Sequence, residues 1–229
     1  MNPSPTMAVT INEHPRPLCS TYRHFTINIR DIYTIYTTLT STPSVAYDWV
    51  HRIINLPYHH HLRLIVGLGA QWSPPPTPFA PHRPAATLQL CVNNKCLIYH
   101  LYHAPSTPAL LQEFLSNPCT TFVGLWCQAD ARRIFNSKHQ LSLVPDMPID
   151  LRLHAFDQSG NSLKLCSVQE IVKRFLGVDI EWDSSFNLSD WEVDELSLEQ
   201  VRHAAVDAFV SYTIGFDLGS HKFNRYCFF

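Results

Sequence analysis

Residues 64–72 read Leu-Ile-Val-Gly-Leu-Gly-Ala-Gln-Trp, the most apolar run in the chain, and Pro74-Pro75-Pro76 ends it abruptly. Six to eight residues without polar alternation make a strand buried on both faces. Such a strand lies inside a sheet, with cover on either side. At nine residues the run is too short to span a membrane. In a strand, positions 69 and 71 project from the same face. Carboxylates at such a pair would set two oxygen ligands side by side at a sheet end. This chain has Gly69 and Gln71 there instead.

Around that strand the chain reads as strands first, then strands and helices alternating, then helices. Residues 22–28 and 32–39 alternate and are β-rich, with Arg30-Asp31 as the turn of a leading hairpin. A helix starts at Thr42-Pro43-Ser44 and carries Val45, Trp49, Ile53 and Leu56 at helical spacing. His59-His60-His61 invites a metal reading, but adjacent side chains do not converge on one ion as an i, i+4 pair on a helix would, so a solvated loop is expected. Residues 86–90 and 96–101 form a hairpin across Asn93-Asn94, and 108–115 a short helix. A second buried strand spans 121–126, followed by a helix within 127–139, a short strand at 148–153, and a helix over 162–177 closed by Gly177. An acidic, aromatic loop covers 179–189. Ser197 and Gln200 make a capping box opening a long helix, or two, over 197–219. This order is that of an α/β domain with a mixed sheet.

The totals narrow the function. A chain of 229 residues fits one domain with an ample core. A net charge of −2 lacks the basic excess of a dedicated duplex-binding domain, so a nucleic-acid surface must be a local patch. Seven scattered cysteines without a C-x-x-C pair read as reduced thiols, which points to the nucleus or cytoplasm. Residues 1–19, rich in proline, are expected to be a disordered tail, 20–220 the domain, and 221–229 a second tail. No membrane association is expected. Residues 73–84, with six prolines, are expected to be a stiff extended loop and the candidate surface for a protein partner.

With this order in place, the chain resembles the 3′–5′ exonuclease domain of the Werner type, of the DEDD superfamily with a ribonuclease H-like fold, and the plant Werner-like proteins most of all. Val66-Gly67-Leu68-x-x-x-Trp72 resembles the first exonuclease motif, in which an Asp-x-Glu precedes the Trp. Residues 86–91 with 95–98 resemble the hairpin after it. Phe122-Val123-Gly124 with Asp130-Ala131 resembles the second motif. Ser189-x-Trp191 followed by Leu196-x-x-x-Gln200-Val201-x-x-Ala204-x-x-Asp207-Ala208 resembles the third. The likeness covers residues 20–219. It implies hydrolysis of phosphodiesters at 3′ ends by two Mg²⁺ or Mn²⁺ ions, with four carboxylates as ligands and a tyrosine orienting the water.

Carried over residue by residue, these roles survive unevenly. The first Asp falls on Gly69, which offers no ligand, and the Glu on Gln71, a neutral carbonyl. The second and third Asp are kept as Asp130 and Asp207. The Tyr falls on His203, one residue closer to the Asp than the histidine of related exonucleases. Four carboxylates carry about −4 against about +4 from two ions; Asp130 and Asp207 supply about −2. The expectation is therefore an exonuclease-fold protein with impaired or absent activity, holding no metal tightly. Its nucleic-acid contacts would come from Arg132, Arg133, Arg202 and Trp72, and its ligands would be single-stranded 3′ ends. Two alternatives stand beside it: an active enzyme that recruits a substitute ligand such as Asp48 or Glu192, and a protein-interaction module built on the 73–84 loop. On other grounds, Asp130 could simply cap its helix, and Trp191 could be core.

Overall fold

In the computed structural model, residues 9–18, 20–56, 64–77, 79–156, 159–180 and 183–219 are described. The 64–72 run forms β4 (Leu64–Gln71), buried from Ile65 onward. It pairs antiparallel with β5 (Thr87–Val92), placing Leu68 opposite Leu90, and parallel with β7 (Thr120–Gly124), placing Val66 opposite Phe122. β5 returns as β6 (Lys95–Tyr99) across Asn93-Asn94, Asn93 taking a φ of 53°. Beyond β6 lie β3 (Tyr33–Thr40), β2 (Tyr22–Ile29) and the edge strand β1 (Val9–Glu13). Arg30 and Asp31, with φ of 55° and 54°, are the central pair of the tight β2–β3 turn, which the Ile32 N–H closes by donating to the Ile29 carbonyl at 3.0 Å, the left-handed pair favoured between twisted strands. β8 (Ile149–Asp150) closes the other side. The order is β1-β2-β3-β6-β5-β4-β7-β8, a mixed sheet flanked by helices.

The helices are α1 (Pro43–Ile54), α2 (Ala109–Leu115), α3 (Asp130–Phe135), α4 (Val168–Leu176) and α5 (Leu198–Asp217). α5 is single and long, and it lies across β4 and β5. Its contact is close because Gly67 has no side chain. A Cβ there would run into the Ala208 carbonyl oxygen and stand 2.6 Å from the Tyr212 nitrogen. This close approach sets α5 low on the sheet, with Asp207 beside Gly69. Val66 and Leu68, alternating with the glycines, are just as buried on the opposite face, as the unbroken apolar run requires.

Four expectations are corrected. The 1–19 tail is not unstructured throughout: Val-Thr-Ile-Asn-Glu alternates, pairs along β2, and is pinned by Glu13 to Arg23 at 2.7 Å. The helix expected from 162 begins at Val168, where Ser167 and Glu170 form a capping box; before it, Ser162 bridges to Phe156. The 148–153 strand has only two paired residues, then a 3-10 turn over Leu151–Leu153. Asp130 is not the cap of α3, since Ala129 holds that position and Asp130 is the first helical residue. Trp191 is core, fully buried, with its indole N–H donating to the Phe186 carbonyl at 3.0 Å. The histidine run and residues 221–229 lie outside the described residues.

The proline-rich loop is irregular yet clamped at both ends. Ser73 donates to the Asp190 carboxylate at 2.7 Å and accepts from the Trp191 N–H at 2.8 Å. Arg83 pairs with Glu192 at 2.9 Å.

Candidate active site

The C-terminal end of β4, the start of α3, the middle of α5 and the N-terminus of α4 enclose a cleft of about 710 Å³. Gln71, Trp72, Asp130, His203 and Asp207 line it. Strand alternation brings Gln71 to the side of Gly69, and α5 brings His203 and Asp207 together one turn apart. Five of the positions singled out in the sequence, Gly69, Gln71, Asp130, His203 and Asp207, therefore converge, although they span 139 residues of chain.

The electrostatics of the cleft follow from burial. Asp207 is pushed up to about 7 by burial. Asp130 is raised well above the usual carboxylate range, first by burial, then by repulsion from Asp207, with Arg133 opposing and Asp150 adding to it. Two carboxylates that share a dry site resist joint ionisation. His203 is pushed down to about 4, chiefly by burial, and is neutral at physiological pH. Its ring packs 5.3 Å from Phe186 and 6.3 Å from Trp191.

The space beside Gly69 is marked by its neighbours. A Cβ on Gly69 would stand 3.0 Å from Gln89 Oε1 and 3.1 Å from Asp207 Oδ2. Gln89 is fully buried; its amide nitrogen donates to Thr87 Oγ1 at 2.6 Å, and its Oε1 has no hydrogen-bond partner. An orphan buried acceptor and a buried carboxylate oxygen thus both border the space beside Gly69, where a cation or a proton would be welcome. Sequence reading missed Gln89, although a lone amide in the run Leu-Gln-Leu-Cys-Val was a visible signal.

Two divalent ions do not fit the donor set. The lining has two carboxylates, Asp130 and Asp207, beside the neutral donors Gln71, Ser167, Gln169 and His203, short of the charged oxygens two such ions require. Among the described residues no group of three or more His, Cys, Asp or Glu side chains is placed to hold a metal. The substitute ligands do not reach the cleft either. Asp48 is exposed on α1, and Glu192 is engaged by Arg83.

The basic residues divide. The Arg133 guanidinium lies 3.8 Å over the Trp72 ring and donates to the Arg83 carbonyl at 2.6 Å, at the rim of the cleft. Arg132 is exposed on α3 beside it. Arg202 is not brought to the cleft: it is held by Glu199 and by the Val9 carbonyl at 3.3 Å, in a small hollow against β1. Asp150 and Arg152, which the sequence reading left unremarked, form a buried pair beneath Trp126.

An eight-stranded mixed sheet, flanked by helices, whose central strand ends at a cleft, is the architecture of the ribonuclease H-like exonuclease domains. The Nibbler EXO domain of Aedes aegypti superimposes with a TM-score of 0.61 at 16% identity, covering 80% of this chain and 87% of that one. Escherichia coli RNase D, an exoribonuclease, does so with a TM-score of 0.60 at 17% identity, covering 80% and 44%. The 3′–5′ exonuclease family matches residues 81–219, well over half of the chain, and the chain belongs to that family. It is similar to the mouse bifunctional 3′–5′ exonuclease/ATP-dependent helicase WRN, 29% identical over 164 residues, which cover 68% of this chain and 11% of that protein. An Arabidopsis thaliana 3′–5′ exonuclease is 26% identical over 148 residues, 64% of this chain and 50% of that protein. The chain thus spans half or less of the length of these relatives.

Proposed function

We propose that this domain binds single-stranded 3′ ends of nucleic acid in the cleft and has lost, wholly or nearly so, the capacity to cleave them. The observation that carries the reading is the pair of replaced ligands. Gly69 supplies nothing at the position of the family's bridging carboxylate, beside Asp207, and Gln71 supplies a neutral carbonyl in place of the family's Glu. Removing electrostatic stabilisation from a phosphoryl-type transition state costs orders of magnitude in rate. The rest of the cleft supports binding: Trp72 and Arg133 at its rim, and exposed Arg132, offer an aromatic and basic edge to a strand. Mg²⁺ or Mn²⁺, the family's ions, would meet two carboxylates, Asp130 and Asp207, beside neutral donors, and would be held weakly. Such a protein would act in the nucleus, the cytoplasm or both.

The test is a 5′-labelled oligonucleotide with a single-stranded 3′ end, incubated with the chain in Mg²⁺ and in Mn²⁺. Retained binding that weakens steeply with salt, without shortening of the strand, is expected. Trimming that disappears in Asp207→Ala would instead make the domain an active exonuclease. A second reading, a protein-docking role for the 73–84 loop, is favoured by Phe79, which is 98% exposed on it. Phe79→Ser should leave oligonucleotide binding untouched while abolishing any contact through that loop.

A further inference from the structure

We propose that Trp126 is a stacking platform for an unpaired base, presented to the cleft by the Asp150–Arg152 pair beneath it. This deepens the binding reading above and rests on it. Trp126 lines the same cleft as Gln71, His203 and Asp207, and it is 53% exposed. Its φ is 55°, in the left-handed region that a bulky side chain seldom adopts. Backbone of this kind persists where the surroundings over-determine it, often at ligand sites.

Those surroundings are specific. The Arg152 guanidinium carbon lies 3.3 Å from the centre of the indole. Arg152 is itself fixed on three sides. Its Nε and Nη2 donate to the two Asp150 carboxylate oxygens at 3.0 and 2.5 Å, and its Nη1 to the Lys164 carbonyl at 3.1 Å. Arg152 is 3% exposed and Asp150 6%. A buried, bidentate ion pair thus supports one face of the ring, and the exposed remainder meets the cleft.

An indole already immobilised loses little freedom when a second planar group settles on it. The partner such a surface selects is flat and aromatic, and stacking of this kind accepts any base. A base inside a duplex already has its faces covered by neighbours, so the platform favours single strands. Trp72, backed by Arg133 at 3.8 Å, repeats the arrangement elsewhere in the cleft.

The experiment measures affinity of the full chain for a 5′-labelled single-stranded oligonucleotide, at low salt and without divalent metal. It compares wild type, Trp126→Phe and Trp126→Gly. Each is tested against the intact strand and one whose 3′-terminal nucleotides are abasic. Trp126→Gly removes the ring and relieves the left-handed backbone together, and circular dichroism confirms its fold. Expected are near-wild-type affinity for Trp126→Phe and about tenfold weaker binding for Trp126→Gly. The abasic strand should weaken wild type by at least a similar factor, and should weaken Trp126→Gly distinctly less than it weakens wild type. Equal affinity of wild type and Trp126→Gly for the intact strand overturns the platform and leaves the binding reading standing. So does a loss in Trp126→Gly that is the same for intact and abasic strands. No binding by wild type to any single strand overturns both.

Discussion

Gly67 and Gly69 lie two residues apart on one face of β4, under one helix, and only the first needs to be glycine. A side chain at 67 would meet the backbone of α5, at the Ala208 carbonyl and the Tyr212 nitrogen. A side chain at 69 would meet only the tips of Gln89 and Asp207, at 3.0 and 3.1 Å, which move by rotation. One glycine is demanded by packing; the other is permitted by it. The close crossing at Gly67 carries Asp207 to the cleft, and Gly69 beside it places no side chain there.

Gly67→Ala should therefore be the most damaging change, because helix backbone must retreat from the sheet. A cost of ~3 kcal/mol, at the upper end for overpacking, should show in urea unfolding. Gly69→Ala should cost less than ~1 kcal/mol in the same measurement. Equal losses at the two positions would erase the distinction.

The second expectation sharpens the cleft side of the comparison. The Asp207 carboxyl rises from 3.8 to about 7 on folding, because burial penalises its charge. Between those values the folded chain holds a proton that the unfolded chain has released. Its contribution to stability is thus full below about pH 4 and is lost as the pH rises to about 7. Asp130 acts in the same sense. His203 and His100, pushed down to about 4 by burial, act in the opposite one, so the readout is a difference. Asp207→Asn should gain stability relative to wild type as the pH is raised from 5 to 7. A constant offset across that range would show that the carboxyl is not perturbed.

The smallest effect concerns the basic residues. Removing Arg132 or Arg133 should reduce the salt dependence of single-strand binding, by a slope of roughly 0.7 for each phosphate that is no longer neutralised. Arg202→Ala should leave it unchanged, since that side chain is occupied by Glu199 and Val9. A fall in slope confined to Arg202→Ala would relocate the binding face.

Much of this was legible in the sequence for definite physical reasons. β4 announced itself because a strand covered on both faces has no polar positions, and α5 because Ser197 and Gln200 close a box at its start. The same-face placement of Gly69 and Gln71 follows from strand alternation alone. β1 was hidden because proline content around it masked five alternating residues. The start of α4 was misplaced although its box, Ser167 and Glu170, has the same form as that of α5. The Asp150–Arg152–Trp126 stack was beyond reach. It depends on a positive φ at a tryptophan and on a contact between a turn and a loop 26 residues apart, and neither leaves a periodic trace.

The most direct test restores what the cleft lacks. Gly69→Asp with Gln71→Glu gives the cleft four carboxylates, the first requiring the tips of both Gln89 and Asp207 to give way, and His203→Tyr supplies a hydroxyl one turn from Asp207. Without metal the triple variant should be less stable than wild type, from repulsion among its carboxylates, and should gain stability on adding Mg²⁺. In an assay of 3′ single-strand trimming, wild type should be inactive. The triple variant should shorten the strand only with Mg²⁺, and should lose that activity on Asp207→Ala. A folded triple variant that neither binds Mg²⁺ nor cleaves would contradict the claim that only ligands are missing, as would Asp207-dependent trimming by the wild-type chain.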